Sequence, residues 1–363
     1  MKWLSDTAVD RLREEADIPD LGNSKYVVIR RLGSGGMGTV YLAQDAKLGR
    51  KVAVKVMNIA DRSGALASRM MREAQIIALL EHPSIVPIHD VGVLNDGRVF
   101  YAMKLVHGRR LDESIDTASM SDLLRIFQKV CEAVGFAHSR GVIHRDLKPE
   151  NIMVGPFGEV LVMDWGVAKV ITGPRAKTES GTADLRDVSF EDVELVDTLP
   201  LDAAAPGDPS GGTIIGTPAY MPPEQAMGRT ELLDERSDVY SLGAILYFLL
   251  TGRPPSEPRD GTEEGAPISV GQPVRPRQIR SKIPKPIEAI CLKAMSEKQT
   301  DRYQASEELA KDVLSYLDGN PVSAYRENFF ETAGRWLGKN RFLVLLILAY
   351  LLMRVLIFFF VGR

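Results

Sequence analysis

The stretch Val142-Ile143-His144-Arg145-Asp146-Leu147-Lys148-Pro149-Glu150-Asn151-Ile152-Met153 sets an acid, a base and an amide at fixed spacing between two apolar flanks. The Asp146 carboxylate can accept a proton from a hydroxyl. Lys148, two residues on, can neutralise a phosphate. Asn151, five residues after Asp146, can offer an amide oxygen to a hard divalent ion, which prefers oxygen ligands. Eighteen residues after Asp146, Met163-Asp164-Trp165-Gly166 supplies a second carboxylate before a glycine. Together these types suit phosphate chemistry at a metal ion better than a polar surface turn.

Strands and a helix must bring partners to these groups. Tyr26-Val27-Val28-Ile29 leads into Leu32-Gly33-Ser34-Gly35-Gly36-Met37-Gly38-Thr39-Val40-Tyr41-Leu42. Gly33, Gly35 and Gly38 form G-x-G-x-x-G, a pattern shared with dinucleotide-binding folds. Those folds need a helix after the third glycine. Here β-branched and aromatic residues follow, so the pattern predicts a second strand and a glycine-rich hairpin. In Lys51-Val52-Ala53-Val54-Lys55-Val56, alternation puts the valines on one face and Ala53 and Lys55 on the other. Ser68 to Leu80 has strong helical periodicity and carries Glu73. Arg72 and Glu81 read as solvated, and His82, before Pro83, as a turn residue.

In this order and spacing, the motifs resemble the catalytic loop, metal motif, glycine-rich loop and strand lysine of protein kinases. The resemblance covers roughly residues 25–318. Met37 within G-S-G-G-M-G-T-V-Y is similar to the matching position of bacterial membrane-associated serine/threonine kinases of the eukaryotic-like, or Hanks, type. It implies an α+β bilobal fold, with a β-rich N-lobe over 25–105 and a helical C-lobe over 106–318. It implies that ATP lies under Leu32, Gly33, Ser34, Gly35, Gly36, Met37, Gly38 and Val40, against Ala53 and Lys55. Met103 would back the adenine pocket, and Lys104, Leu105 and Val106 would offer backbone groups to the adenine edge. Lys55 would hold phosphates and be fixed by Glu73. Asp146 would be the catalytic base, with Lys148 beside the transferred phosphoryl group. Asn151 and Asp164 would hold Mg²⁺, or Mn²⁺ in its place.

Further matches concern regulation. Arg145 before Asp146 resembles kinases whose activation loop is ordered by a phosphate. Lys148, and Thr217 in Ile215-Gly216-Thr217-Pro218, match the serine/threonine subclass. Glu224 closes an A-P-E-like segment with Pro222 in place of Ala, and Arg302 stands where its partner arginine lies. Asp238 resembles the aspartate that pins the catalytic loop backbone. Trp165 replaces the usual Phe or Leu after the metal-binding Asp, an aromatic that can still pack under the regulatory helix. His144 reads as a packing and hydrogen-bonding residue.

Between residues 172 and 213 there are nine Asp/Glu and three Lys/Arg, with no apolar periodicity. This reads as an acidic insert in the activation loop. Thr213, Thr198 and Ser210 are its candidate phosphosites, Thr213 first because it lies just before the Thr217 segment. In the C-lobe, Ser121 to Arg140 predicts an amphipathic helix with Ser121 as its cap and Gly141 as its stop. Its buried face takes Leu123, Leu124, Ile126, Phe127, Val130, Val134 and Phe136. A buried helix is expected from Ser241 to Leu250, and two more over about 287–296 and 305–318.

Composition sets outer bounds. The chain has 363 residues, a formal net charge of −3 and 45% hydrophobic residues. That balance suits a folded protein and argues against one built to coat nucleic acid. Cys131 and Cys291 make no metal-ligand spacing and read as core. Residues 1–24 form an N-terminal extension, with a short helix from Ser5 to Ala16 and no signal-peptide run.

After residue 318 comes a juxtamembrane segment, 319–341, with an amphipathic stretch from Ala324 to Lys339. Residues 342–361 then predict a transmembrane helix. Sixteen of these 20 residues are Phe, Ile, Leu or Val. At roughly −0.3 to −0.6 kcal/mol each, they outweigh one Arg at roughly +3 kcal/mol. Arg354, about 10 Å from the far end of the span, is read as snorkelling to that interface, with a polar contact between helices as the other reading. Arg335, Lys339 and Arg341 precede the span and Arg363 alone follows it, which predicts a single-pass protein of the cytoplasmic membrane with its catalytic lobe in the cytoplasm.

The sequence-based expectation is therefore a serine/threonine kinase that uses MgATP, phosphorylates proteins and its own loop, and signals at a bilayer. A homodimer in which one copy phosphorylates the other, and no nucleic-acid partner, belong to this expectation. The rival class is a membrane-anchored pseudokinase scaffold, against which stand Lys55, Asp146 and Asp164. A small-molecule kinase of related fold is disfavoured by Thr217 and the A-P-E-like segment.

Overall fold

The computed structural model describes residues 18–22, 24–35, 38–58, 64–115, 118–170, 218–256 and 273–361. The expected N-terminal helix, the whole acidic insert over 172–213 with Thr198, Ser210 and Thr213, and also Gly36, Met37 and Thr217 lie outside the described residues.

Five strands come first: β1 (Tyr26–Ser34), β2 (Gly38–Asp45), β3 (Arg50–Met57), β4 (Ile88–Val93) and β5 (Val99–Lys104). They form one antiparallel sheet in the order β1-β2-β3-β5-β4. Helix α1 (Ala65–Leu79) lies between β3 and β4 in the chain. The period-2 pattern of β3 sorts its side chains between two cores. Val52, Val54 and Val56 join Tyr26, Tyr41, Phe100 and Ala102 on one face. Ala53 and Met57 join Met70, Ala74 and Ile77 of α1 on the other. Register then places Val40 opposite Lys55 and Lys55 opposite Tyr101, in one row on the α1 face.

The second lobe is built on helices. After a short β6 (Arg109–Arg110) and α2 (Leu111–Ser114), helix α3 spans Met120–Ser139. It is capped by Ser119, not Ser121: the Ser119 hydroxyl accepts from the Asp122 N–H at 3.2 Å and donates to the Asp122 carboxylate at 2.6 Å. Gly141, at φ 72°, turns the chain out of the helix, a conformation cheap only for glycine. Leu123, Leu124, Phe127, Val130, Cys131 and Val134 are buried, and Ile126 and Phe136 half-buried. Full burial of each large aliphatic or aromatic contributes roughly 1.5–3 kcal/mol. Cys131 and Cys291 are both buried and free, and burial pushes both thiols up.

Two hairpin-like pieces carry the polar loops at the lobe junction. β7 (Val142–Ile143) pairs with β10 (Lys169–Val170), and β8 (Ile152–Val154) lies between β6 and β9 (Val160–Val162). Short α4 (Pro223–Ala226) follows. α5 runs over Glu235–Thr251, six residues earlier than expected, because Asp234 caps it by accepting from the Arg236 N–H at 2.9 Å. It is buried on nearly every face, as a central helix must be. α6 (Pro276–Ile279), α7 (Lys285–Ala294) and α8 (Ser306–Leu317) complete the lobe.

The segment after α8 does not lead away from the lobe. Val322 is buried in the main core, with Ala324 and Tyr325 packed against it. Helix α9 (Phe329–Lys339) has a capping box between Asn328 and Glu331. Helix α10 (Arg341–Val361) is 21 residues long. Among the described residues, no helix is long and apolar enough to cross a membrane. The expected span takes in positions 343, 356 and 358–361, whose side chains lie outside the described ones.

Candidate active site

The row of side chains on β3 and β5 meets α1 at Glu73. The Lys55 ammonium donates to Glu73 Oε1 at 2.9 Å and Oε2 at 3.1 Å. The Tyr101 hydroxyl donates to the same Oε1 at 2.8 Å. Glu73 is buried, so its charge needs these donors. Burial works against the Lys55 ammonium, but the carboxylates of Glu73 and Asp164 outweigh it and hold its pKa above the ordinary value. Burial, then Glu73, pushes the Tyr101 phenol well above its usual range. Lys55 also reaches Asp164 Oδ1 at 3.4 Å, so one ammonium joins α1 of the first lobe to the segment after β9.

On the other side stands the loop after β7. The Lys148 ammonium lies 2.8 Å from Asp146 Oδ2. The Asn151 amide donates to the Asp146 carbonyl at 2.8 Å and to Asp146 Oδ2 at 3.2 Å. Both bonds use Nδ2, which leaves Oδ1 as the ligand atom the expected role requires. Asp164 stands at φ 58°, and its side chain is half exposed, turned out for a non-glycine residue in the left-handed region. An amide oxygen and an exposed carboxylate are hard donors that fit Mg²⁺, which commonly takes one or two protein carboxylates and completes its shell with water and substrate phosphates. Among the described residues, no cluster of three His, Cys, Asp or Glu offers a self-sufficient metal cage.

The loop is held from beneath by Asp238 in α5. Asp238 Oδ2 accepts from the His144 N–H at 2.7 Å, and Oδ1 from the Arg145 N–H at 2.9 Å. His138 Nε2 lies 2.8 Å from the same Oδ2. Burial opposes ionisation of Asp238, yet these donors, His138 first, keep its carboxyl below the usual range. Arg145 is buried at φ 70°, and the Gln225 amide donates to its carbonyl at 2.9 Å. His144 is buried, within hydrogen-bond distance of the Met163 carbonyl at 3.0 Å and with its ring 4.6 Å from that of Trp165. It therefore packs and bonds, as expected, and Trp165 is buried beside it.

Glu224 and Arg302 meet as a bidentate pair at 2.8 and 2.9 Å, both buried. All five guanidinium N–H groups are used: two on Glu224 and the rest on the Ser296, Arg236 and Glu297 carbonyls. Ser237 Oγ and Gln299 Nε2 add donors to Glu224 Oε1.

The roof is β1 and β2. Leu32 and Gly33 are exposed, Val40 is half-buried, and the Gly35 N–H bonds the Gly38 carbonyl at 2.9 Å. A Cβ on Gly38 would stand 2.7 Å from the Val56 carbonyl oxygen, so only glycine fits there. Ala53 and Met103 are buried at the floor of this face. The Lys104 N–H bonds the Pro87 carbonyl at 3.1 Å, so the backbone group that Lys104 has to offer an adenine edge is its carbonyl.

Other expectations need adjustment. Arg72 is half-buried, not solvated, and its Nε has no hydrogen-bond partner among the described residues. His82 is a turn residue, as expected, accepting from the Ser84 N–H at Nδ1. Sequence reasoning missed Tyr101, His138, Gln225 and Asn58. Each acts across a long sequence separation, and only Tyr101 left a trace, through its place opposite Lys55 in the sheet pattern.

A family model described as the protein kinase domain matches residues 26–186 and 203–314. The serine/threonine-protein kinase PknD of Chlamydia trachomatis is 36% identical over 317 residues, covering 82% of this chain and 32% of that protein. The PknD of Protochlamydia amoebophila is 34% identical over 314 residues, covering 81% of this chain and 30% of the relative. This chain thus spans about a third of the length of the curated relatives it matches. The crystal structure of the Mycobacterium tuberculosis PknI kinase domain aligns with a TM-score of 0.55 at 24% identity, over 81% of this chain and 96% of that one, a likeness of fold. With the sheet, the paired lysine and glutamate and the Asp146 loop all in family order, the chain belongs to the protein kinase domain family.

Proposed function

We propose that this chain is a bacterial serine/threonine protein kinase that moves the γ-phosphoryl group of ATP to protein hydroxyls. One observation carries the reading: Lys55, held by Glu73 at 2.9 Å, reaches Asp164, across the cleft from the paired Asp146 and Lys148. Asp146 orients the substrate hydroxyl and takes its proton. Lys148, beside it, offsets negative charge on the moving phosphoryl group. Lys55 holds the nucleotide phosphates. Asn151 Oδ1 and Asp164 hold Mg²⁺, which when bound neutralises phosphate charge. The protein's part is placement and fixed charge. Lys148 and Thr217 support Ser/Thr over Tyr as the acceptor.

Two further parts of the reading concern control. The kinase phosphorylates its own insert over 172–213, at Thr213 first and also at Thr198 and Ser210, with a second copy of the chain as partner. The support is Arg145 beside Asp146, a cation a loop phosphate can order against. Residues 342–361 anchor the chain in the cytoplasmic membrane, with protein substrates on the cytoplasmic side. The support is the apolar sequence of α10 and side chains as exposed as Leu346, at 68%, and Leu352, at 62%.

The test is an in vitro assay with labelled ATP and a generic protein substrate, followed by mass-spectrometric site mapping. Phosphoserine and phosphothreonine are the expected products, with sites inside 172–213. Phosphotyrosine alone, or ATP hydrolysis with no protein product, overturns the reading.

A further inference from the structure

We infer that Asn58, the residue just after β3, is a positioning residue for ATP that clamps the glycine-rich loop over the phosphates. The inference rests on the kinase reading. Its basis is a chain of side-chain hydrogen bonds at the loop's root. The Thr39 hydroxyl donates to Asn58 Oδ1 at 2.6 Å, and Asn58 Nδ2 donates to the Gly35 carbonyl at 2.9 Å. Ser34 Oγ lies 3.1 Å from Thr39 Oγ1. A hydroxyl has one proton. Thr39 gives its proton to Asn58, so Ser34 is the donor in that third bond. The order Ser34 to Thr39 to Asn58 to Gly35 is then fixed by proton count, and so is the orientation of the Asn58 amide.

The geometry needs such a clamp. Gly33, Gly35 and Gly38 let the backbone approach phosphates, but glycine gives the loop the largest conformational entropy to lose. Ladder pairing of β1 with β2 stops at Ser34 and Thr39. β2 with β3 stops at Gly38 and Met57. Beyond those pairs Gly35 keeps one backbone bond, from its N–H to the Gly38 carbonyl at 2.9 Å, and Asn58 holds its carbonyl. One carboxamide at position 58 therefore ties the loop's β1 side to β2 and to the end of β3, the strand that carries Lys55. A loop held in register with Lys55 meets the phosphates with its ordering largely paid in advance. Asn58 touches neither the proton nor the transferred phosphoryl group, so its effect should fall on nucleotide affinity.

Asn58 suits both ends because an amide donates and accepts at once. Aspartate keeps the acceptor for Thr39 but loses the donor to Gly35 and sets a negative charge beside the phosphates. Valine at 39 removes the other end, and serine at 39 restores it.

The experiment uses the full chain and reads both nucleotide binding and turnover. MgATP affinity is followed by isothermal titration, and KM and kcat for a peptide substrate are measured alongside. Asn58→Ala and Thr39→Val should each raise the Kd and KM for ATP roughly three- to tenfold, the scale of one lost hydrogen bond, with kcat within about twofold. Asn58→Asp should be at least as weak as Asn58→Ala, and Thr39→Ser should recover the parent's affinity. The Asn58→Ala, Thr39→Val double variant should lose no more than either single one, since both cut one chain. Amide hydrogen exchange over residues 33–40 should speed up in each single loss variant. Parent-like ATP affinity in Asn58→Ala and Asn58→Asp overturns the clamp. So does a change confined to kcat, or full additivity in the double variant. A parent chain that binds no MgATP overturns the kinase reading itself, a result distinct from any of these.

Discussion

Lys55 and Tyr101 share one acceptor oxygen: both donate to Glu73 Oε1, from 2.9 and 2.8 Å. The arrangement fixes α1 against the sheet with the lysine aimed at the cleft. Lys55→Met should lower kcat/KM by on the order of 10²–10³ and leave the unfolding midpoint near the parent's. Glu73→Gln should lose about tenfold, since it keeps an acceptor but not the charge. Because the folded pKa of Lys55 lies above its ordinary 10.5, the ion pair's contribution is complete below that value and lost only as pH rises through the folded pKa. ATP affinity should thus show no Lys55-dependent fall between about pH 7 and about pH 10. Parent-like turnover in a folded Lys55→Met protein would remove the lysine from the site.

Glu224 and Arg302 should matter to stability first. Breaking a buried pair leaves an uncompensated charge and costs about 3–5 kcal/mol. Arg302→Lys should do little better than Arg302→Ala, because an ammonium cannot serve the five acceptors around the guanidinium. Burial pushes the Glu224 carboxyl up, but Arg302 outweighs it and holds the group below its ordinary 4.5. The pair therefore stabilises fully above pH 4.5, and its contribution is lost as pH falls through the lower folded value. Thermal unfolding of parent and Glu224→Gln from about pH 7 to about pH 3 checks the sign: the two midpoints should converge on acidification. Midpoints that diverge instead would mean Glu224 is not held as a carboxylate.

Asp238 has three donors and two oxygens. Asn at this position offers one acceptor and points an N–H at another donor. Asp238→Asn should cost about 1–3 kcal/mol in a denaturant melt, the penalty for one buried donor left unmet. It should also cost activity, because Arg145 keeps its φ of 70° only while its N–H and carbonyl are both held, by Asp238 and Gln225. An unchanged melt with unchanged turnover would show that the loop backbone is fixed some other way.

What could be read before the structure was whatever depends on local period or fixed spacing. The valines of β3, the glycines of the roof and the Asp146-to-Asn151 interval each state their geometry within a few residues. Ser119 was also legible in principle: Ser119-Met120-Ser121-Asp122 holds an S-x-x-D start signal, and Ser121 merely lay nearer the first apolar pair. The start of α5 was hidden because Glu235, Arg236 and Ser237 are polar and show no helical period until Asp234 caps them. His138 and Asp238 are 100 positions apart, and Tyr101 and Glu73 are 28 apart. Nothing local marks such pairs. Asn58 follows a strand in an unremarked polar position, and only packing of three strand ends reveals its two bonds.

The end of the catalytic lobe gives the last prediction. Asp312 in α8 accepts four hydrogen bonds: from the Tyr303 hydroxyl, the Ser323 hydroxyl and N–H, and the Ala324 N–H, at 2.7–3.1 Å. Val322 is buried beneath them, and Lys293 Nζ reaches Ser323 Oγ at 3.3 Å. Glu331 then bonds the Tyr325 hydroxyl and pairs with Lys285 at 2.9 Å, which docks the start of α9 on α7. Removing residues from 321 onward deletes Val322, worth roughly 1.5–3 kcal/mol of burial. It also strips Asp312 of three donors, each worth about 1 kcal/mol. A chain ending at Asn320 should therefore unfold several degrees below one ending at Asn340, although both lack 342–361 and both should leave the membrane pellet in fractionation. Turnover per folded molecule should be alike in the two, since neither cut reaches the Lys55–Asp146 cleft. Equal unfolding midpoints would show that the 321–325 segment adds nothing to the lobe. If the chain ending at Asn340 still sediments with membranes, the anchor does not lie in 342–361.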